Sequence, residues 1–375
     1  MLGSSLSLSE VKPHLEKLVE ALFDEIPTGV GATGAVRLSA AEERQVMVHG
    51  ARWAVTHGYG SPADIEHMEE QGCLASADPD AVSEKAIERG RKQLGTLGSG
   101  NHFLEVGYVQ EIYDEEVARA FGLRLEQVTV LIHTGSRGFG YQVCDDFLKV
   151  MAKKGHEIEV PDRQLACASL KSADAQQYLG AMGCAANYAW ANRQMITYGT
   201  RQVFENVFAV DPEALRLVYD VCHNIAKRER HRVNGEERWV CVHRKGATRA
   251  FPPGHAAVPE AYRQVGQPVL IPGDMGRSSY VLVGTQRAMD ETWGTTCHGA
   301  GRVLSRTQAR KAVQGRSIER DLLDLGVIVK GRGWASLAEE VPQAYKDVSR
   351  VVEVVHRAGI SRKVAKLRPL GVIKG

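Results

Sequence analysis

The sequence predicts a mixed α/β (α+β) fold in which helices flank central β-sheets. Short apolar runs that end in Gly-rich turns recur between residues 95 and 310, and this pattern is typical of buried strands followed by loops. Apolar residues at helical spacing occur near the N-terminus and again in residues 178–208. Neither a repeat nor a low-complexity linker divides the 375 residues, so we predict one large domain over residues 1–375.

Composition limits the class of protein. A hydrophobic share of 43 % and a charged share of 25 % are ordinary for a globular chain, which therefore needs no disulfides to hold a core. The net charge of +2 neither indicates nor excludes nucleic acid, because a local basic groove can bind phosphates. Seven cysteines without a CxxC pair predict a reducing, cytoplasmic location. No apolar run reaches the length of a membrane span, so no membrane partner is expected.

Helices are predicted first in the N-terminal third. Ser9 can cap a helix with a regular apolar face, and Pro13 falls in its first turn, where a missing N–H is tolerated. A second helix is predicted over residues 40–57. Ser83 can cap a third that ends near Lys92. These helices precede the region of strands.

Strands are predicted in the apolar segments FLEVG, VTVLIH, VYDV, RWVCVH, QPVLI and YVLVG. Between them, residues 178–208 read as a helix. The basic stretch KRERHR, residues 227–232, reads as a solvated helix end or a hairpin without a role. Residues 339–375 read as helix followed by a short tail, which makes Lys374 by composition a frayed tail residue.

Four histidines share one local setting at the edges of apolar strands, next to Gly, Ser or Asn: His102, His133, His223 and His298. Imidazole is a common transition-metal ligand and can also act as a nucleophile. For each histidine taken alone, the competing interpretation is a core residue at a strand end whose ring nitrogens have hydrogen-bond partners. Spacing therefore leaves a metal centre and four unrelated core histidines both open.

Cations next to Gly turns suit phosphate oxygens, because backbone N–H groups and positive side chains can act together. Solvated turns are the alternative for each. The candidates for phosphate contacts are Arg137, Lys245, Arg302 and Arg306. A His-rich metal site with phosphate-binding loops predicts either phosphoryl or nucleotidyl transfer, or metal-dependent phosphoesterase chemistry.

The strings GSGNHFLE, HTGSRG, NYAWANRQMIT, HRKGATRAFPPGH, CHGAGRVLSR and RPLGVIKG occur in this order. Together they resemble the RtcB family of RNA ligases, from about residue 9 to residue 375. The resemblance implies a ligase that requires GTP and Mn²⁺. Such a ligase joins RNA 3′-phosphate or 2′,3′-cyclic phosphate ends to 5′-hydroxyl ends, in tRNA splicing or RNA repair, through a His–GMP intermediate.

The resemblance also implies roles for single residues. His298, in the CHGAG string, would be the nucleophile that attacks the α-phosphate of GTP. His102, His133 and His223 would bind two Mn²⁺ ions. Tyr345 would stack on the guanine base and Lys374 would hydrogen-bond to it. The full set expected at GTP is Asn101, His102, Phe103, Leu104, Glu105, His223, Asn224, Pro272, Gly273, Asp274, Met275, Ser279, His298, Gly299, Ala300, Gly301, Tyr345 and Lys374.

The sequence departs from the family pattern in two places. Asp274 stands where many members carry Ser, although a carboxylate can still accept from guanine. The family's upstream D-x-x-C-G-V-R motif, whose Asp and Cys ligate the metals, has no counterpart here, so we expect a chain truncated at its N-terminus relative to the family. A mis-assigned start or frameshift, a split gene with a separately supplied segment, and a degenerate copy remain open, and an activating protein is a further expected partner.

Two rival functions follow from these departures. The first is an RNA- or GTP-binding protein derived from a ligase but without catalysis, against which the retention of His298 and the three other histidines counts. The second is a metal-dependent phosphoesterase, which would need neither Tyr345 nor Lys374.

Overall fold

The computed structural model describes residues 1–154, 160–162 and 165–375. The strands are β1 Leu2–Ser7, β2 Phe103–Ile112, β3 Gln127–His133, β4 Leu215–Leu217, β5 Asn224–Val233, β6 Glu236–Lys245, β7 Ala247–Arg249, β8 Pro268–Ile271, β9 Ser279–Gly284, β10 Thr295–Cys297, β11 Ile328–Gly331 and β12 Ser361–Lys374. The helices are α1 Leu8–Val11, α2 Leu15–Glu25, α3 Ala40–His49, α4 Ala51–Thr56, α5 Pro62–Glu66, α6 Glu84–Gly90, α7 Glu115–Ala120, α8 Arg137–Lys154, α9 Ala173–Phe208, α10 Gln286–Thr292, α11 Arg306–Ala312, α12 Ile318–Leu323, α13 Trp334–Glu339 and α14 Val348–Arg357. The predicted mixed α/β fold is confirmed.

A largely antiparallel sheet forms the centre of the fold. Its strands follow the order β4-β1-β3-β2-β12-β9-β8, and β11 pairs in parallel with the end of β12. Helix α2 packs against β12 and β11 as well as against α9. Two short sheets lie apart from this one, the pair β7–β10 and the hairpin β5–β6.

The C-terminal strand β12 is the largest difference from the sequence prediction. The predicted helix is present as α14, but the predicted tail is a 14-residue strand between β2 and β9. The composition of this segment did not indicate a strand, because it contains Pro and Gly, which are depleted in central strands, and several charged residues. The sheet accommodates Pro369 with a register shift between Pro369 and Gly371. Lys374 is consequently buried rather than frayed.

The N-terminal residues also differ from the prediction. Residues before the first helix form β1, and Ser7 rather than Ser9 caps it, together with the carboxylate of Glu10. The predicted second helix breaks at Gly50, whose φ of +55° ends α3 and starts α4. The helix capped by Ser83 is confirmed. The cap at Ser83 was thus predicted correctly and the cap at Ser9 was wrong, because the pairing of the first residues with β3 and β4 depends on distant partners.

The prediction of a strand in VYDV, residues 218–221, was wrong. Strand β4 ends at Leu217, and the next strand, β5, begins only at Asn224. The basic stretch KRERHR lies inside β5, in the hairpin with β6. The hairpin alternative was therefore the correct one. The other predicted strands are present, and no helix in the described part of the chain is long and apolar enough to cross a membrane.

Candidate active site

Three histidines from distant parts of the chain meet at one point. The ligand nitrogens of His133, His223 and His298 all lie within 4.8 Å of one another. Nε2 of His133 is 3.3 Å from Nε2 of His223, and the ring of His298 stacks on that of His223 at 3.7 Å between centroids. The ring of His102 lies 6.2 Å from that of His133. The structure thus brings all four predicted histidines together, with His298 inside the tightest group and His102 beside it.

Burial keeps these imidazoles uncharged. Desolvation, the largest cause, lowers the pKa of His102 and that of His298 to about 4. It also lowers the pKa values of His133 and His223 well below the usual value. Both ring nitrogens of His298 are buried and find no hydrogen-bond partner among the described residues. Unpartnered neutral nitrogens pointing into one space are able to bind a metal ion or attack an electrophile.

Strand ends and short loops place each histidine. His133 ends β3 and lies opposite Phe103, so that His102, one residue earlier, comes next to it. His298 follows β10, which pairs with β7. His223 precedes β5 in a segment held by Glu69, whose buried carboxylate accepts a 3.0 Å bond from the backbone N–H of Cys222.

Helix α9 fastens the loops that carry the histidines. The side-chain oxygen of Asn192 accepts from the N–H groups of Gly95 and Thr96 at 2.7 and 3.0 Å. Its amide donates to the carbonyls of Thr96 and Gly135 at 3.1 and 3.0 Å. One residue on, Arg193 donates to Asp220 and to the carbonyl of Thr134, next to His133. The NYAWANRQMIT string is therefore structural support for the site.

Replacing Asn192 by alanine is expected to cost about 3 kcal/mol of stability, because buried backbone groups in two loops lose their partner. The matched control is Asn206→Ala, which removes an exposed amide from the same helix and should change stability by less than about 0.5 kcal/mol. Urea unfolding at equilibrium measures both variants. Equal stability of the two would show that Asn192 does not hold the loops.

One cavity of about 280 Å³ adjoins the histidines. That volume is close to the lower end of the range for ligand pockets, about 300 Å³. Most residues predicted from the resemblance to contact GTP line it: Asn101, Phe103, Glu105, His223, Asn224, Pro272, Gly273, Asp274, Met275, His298, Gly299, Ala300, Gly301, Tyr345 and Lys374. His133 and Lys245 line it as well, whereas His102, Leu104, Ser279, Arg137, Arg302 and Arg306 do not.

A buried carboxylate that the sequence did not reveal holds Tyr345 and Lys374 in the lining of this cavity. Glu340 is 1 % exposed and accepts a hydrogen bond from the hydroxyl of Tyr345. It also pairs with Arg302 at 3.1 Å and with Lys374 at 3.5 Å. Lys374 donates in addition to the carbonyl of Gly100 at 2.8 Å, and burial lowers its pKa to about 8. No signal in the AEE context marked Glu340, since its partners are distant in sequence.

Hydrogen bonds between its own residues stabilise the turn at residues 272–279. Both carboxylate oxygens of Asp274 accept from its own turn, one from the N–H groups of Gly276 and Arg277 and the other from the Arg277 side chain. Ser279 accepts from the N–H of Gly273 at 3.2 Å and donates to Glu105 at 3.1 Å. A Cβ at Gly273 would lie 1.8 Å from the carbonyl oxygen of Ser278, so only glycine fits. Asp274 and Ser279 therefore shape this turn.

The four predicted phosphate cations fall into two groups. Arg302 donates to the carbonyls of Leu304 and Glu339, and its guanidinium lies 5.0 Å from the centroid of the Tyr345 ring. Arg137 likewise donates to the Gly29 carbonyl at 2.9 Å. These two support loops. Lys245 and Arg306 are exposed instead, Lys245 on the rim of the cavity and Arg306 at the start of α11, 3.5 Å from Glu339.

Comparison with known proteins matches the whole chain. A family model described as "tRNA-splicing ligase RtcB" matches residues 1–375. The tRNA-splicing ligase RtcB of Archaeoglobus fulgidus is 55 % identical over 379 residues, which cover 100 % of this chain and 79 % of that protein. That of Methanocaldococcus jannaschii is 53 % identical over 379 residues, covering 100 % of this chain and 39 % of its own length. That of Thermococcus kodakarensis is 53 % identical over 380 residues and 79 % covered.

Proposed function

The chain belongs to the RtcB family of tRNA-splicing ligases, and on this premise we propose that it joins RNA ends using GTP and Mn²⁺. The reaction joins a 3′-phosphate or 2′,3′-cyclic phosphate end to a 5′-hydroxyl end, in tRNA splicing or RNA repair. The observation that carries the proposal is the meeting of His133, His223 and His298 at a cavity that Tyr345 and Lys374 also line.

The histidine group fits a transition-metal ion. A tetrahedral ion with bonds of about 2.1 Å to nitrogen separates two ligand nitrogens by about 3.4 Å, and the Nε2 atoms of His133 and His223 are 3.3 Å apart. All three donors are neutral imidazoles, the ligand type that suits Zn, Cu, Fe and Ni, whereas Mn²⁺ favours oxygen ligands in addition. His133 and His223, with His102 beside them, would hold the metal. When bound, it would neutralise phosphate charge and polarise the α-phosphate of GTP.

His298 is the proposed nucleophile. A ring-nitrogen lone pair of its neutral imidazole forms the bond to the α-phosphorus of GTP, while the bond to the bridging oxygen breaks and pyrophosphate leaves with that electron pair. Stacking on His223 at 3.7 Å restricts rotation of the ring and keeps its nitrogens directed into the site. A 2′,3′-cyclic phosphate end is first opened by water to a 3′-phosphate. GMP then passes from His298 to an oxygen of the RNA 3′-phosphate, and the 5′-hydroxyl oxygen of the second end attacks the RNA phosphorus and displaces GMP.

Tyr345 and Lys374, in the lining of the cavity, are proposed to bind the guanine base. The ring of Tyr345 would stack on the base, and its hydroxyl donates a hydrogen bond to Glu340, which fixes the position of the ring. The ammonium group of Lys374, which pairs with Glu340, would donate to the base. Backbone groups of residues 272–275 and 299–301 supply further donors and acceptors along the same cavity. The exposed cations Lys245, which lines the cavity, and Arg306, at the start of α11, would then contact RNA phosphates, whereas Arg137 and Arg302 support loops.

An RNA-joining assay tests this function. The purified protein is incubated with GTP, Mn²⁺ and two RNA strands. One strand ends in a 3′-phosphate, and the other is labelled and begins with a 5′-hydroxyl. A joined product is expected that needs both GTP and Mn²⁺ and does not form when the acceptor ends in a 3′-hydroxyl. Cleavage or dephosphorylation of the RNA without joining would instead favour a phosphoesterase.

A further inference from the structure

The β5–β6 hairpin separates its charges by face. On the face turned toward the protein, Lys227 pairs with Glu69 at 3.0 Å and Arg244 pairs with Glu229 at 2.7 Å, and all four side chains are buried. His231 completes this face at 3.0 Å from Glu229. These buried charges are neutralised locally, as buried charges must be. The alternating letters of KRERHR thus place every second residue in an ion-pair network.

The outer face has the opposite character. Side chains alternate along a strand, so Arg228, Arg230 and Arg232 all lie on this face and all are exposed. None of the three forms an ion pair with any residue in the described ranges. Trp239, the cross-strand neighbour of Arg230, is 64 % exposed. The outer face thus carries four cations, these three arginines and Lys245, and one carboxylate, Glu237. Positive charge is therefore concentrated on this face of a chain whose net charge is only +2.

A cleft beside β5 adds a binding volume to this face. It measures about 640 Å³, and the hairpin contributes Arg228, Arg230 and Trp239 from its outer face together with Ala226, Lys227 and Glu229. Apolar residues of α9, Leu179 and Met182, form another part of its lining. Two carboxylates, Glu70 and Glu229, also line the cleft, and both are paired with cations of the buried network. The exposed indole and the unpaired guanidinium groups of Arg228 and Arg230 therefore suit planar bases linked to phosphates.

The outer face is continuous with the active site. Asn224 and Lys245 are paired at the start of the hairpin, and both line the 280 Å³ cavity next to His223. From there each strand runs for 10 residues. At about 3.3 Å per residue this length corresponds to about 30 Å, enough for several nucleotides beyond the cavity.

We propose that the outer face of the β5–β6 hairpin binds the single-stranded RNA segment that adjoins a reacting end. Arg228, Arg230 and Arg232 contact successive phosphates, and Trp239 stacks on a base in the cleft. This inference rests on the proposed function. It assigns the RNA a path that leaves the cavity at Lys245 and follows the hairpin away from the histidines.

The test compares three substitutions on the hairpin with three elsewhere. The variant Arg228→Gln/Arg230→Gln/Arg232→Gln removes the proposed contacts. The control Lys17→Gln/Lys85→Gln/Arg350→Gln removes the same charge from exposed positions on α2, α6 and α14. Fluorescence anisotropy measures binding of a labelled 12-nucleotide RNA with a 3′-phosphate over a range of salt concentrations.

The hairpin variant is expected to bind the 12-nucleotide RNA at least about tenfold more weakly than the control, with a salt slope smaller by about 2. A dinucleotide with the same 3′-phosphate, too short to follow the hairpin, should bind both variants equally. Trp239→Ala should weaken binding of the longer RNA by about tenfold, whereas Trp334→Ala, on α13, should not. Labelling by GTP should remain unchanged in all of these variants.

Equal binding of the longer RNA by the hairpin and control variants would overturn the inference and leave the proposed function standing. Weaker binding of the dinucleotide and the longer RNA by the same factor would also overturn it, because the loss would then arise in the cavity. Failure of the unsubstituted protein to bind either RNA or to accept label from GTP would count against the proposed function itself.

Discussion

The His298→Ala variant is expected to lose RNA joining by at least about 10⁴-fold, because removal of a catalytic nucleophile eliminates the covalent step. The histidine contacts no described hydrogen-bond partner, so its loss should leave the fold intact. Rates of joining under single-turnover conditions measure the effect. His49→Ala is the matched control, since His49 is exposed at the end of α3. Retention of joining within tenfold of the control would rule out His298 as the nucleophile.

The same variant separates two possible roles of His298. Its ligand nitrogens lie within 4.8 Å of those of His133 and His223, so geometry alone permits it to be a third metal ligand. If it acts as the nucleophile, the variant should keep its affinity for Co²⁺ within a few-fold, while joining disappears. Loss of joining accompanied by an equal loss of metal would assign it to the ligand set instead.

The His133→Ala/His223→Ala variant is expected to lose affinity for divalent transition metals by at least about 100-fold, because it removes two nitrogens at ligand spacing. Mutation of a residue that only hydrogen-bonds to a metal ligand already lowers metal affinity by about 10–100-fold. Co²⁺ titrated into the metal-free protein gives visible absorption bands that report nitrogen coordination directly. This readout does not depend on activity. The double variant His14→Ala/His49→Ala removes two exposed histidines and should bind Co²⁺ as the unsubstituted protein does. Unchanged Co²⁺ bands in the His133/His223 variant would place the metal elsewhere.

Short-range patterns carried much of the prediction. The local pattern predicted that all four histidines lie at strand ends, and the structure places each of them there, because a buried strand and the loop beside it are encoded locally. Spacing could not show that they meet, since His133 and His223 are separated by 90 residues. The resemblance supplied that expectation, and the structure agrees with the proximity.

Long-range pairing set the limit of the prediction. Lys374 reads as a tail residue because its strand contains Pro369, Gly371 and several charges, yet pairing with β2 and β11 buries it. Glu340 escaped notice for the same reason, as its partners Arg302, Tyr345 and Lys374 come from three separate segments. Buried polar networks are specified by tertiary contacts, which leave no period in the sequence.

The most direct measurement of the central claim is mass spectrometry of the protein after incubation with α-labelled GTP and Mn²⁺. The account predicts covalent label that is labile in acid and stable in alkali, as a phosphoramidate should be, and that maps to the peptide containing His298. A protein that joins RNA ends with GTP but carries its label on another residue, or carries none, would contradict the assignment of His298 as the nucleophile.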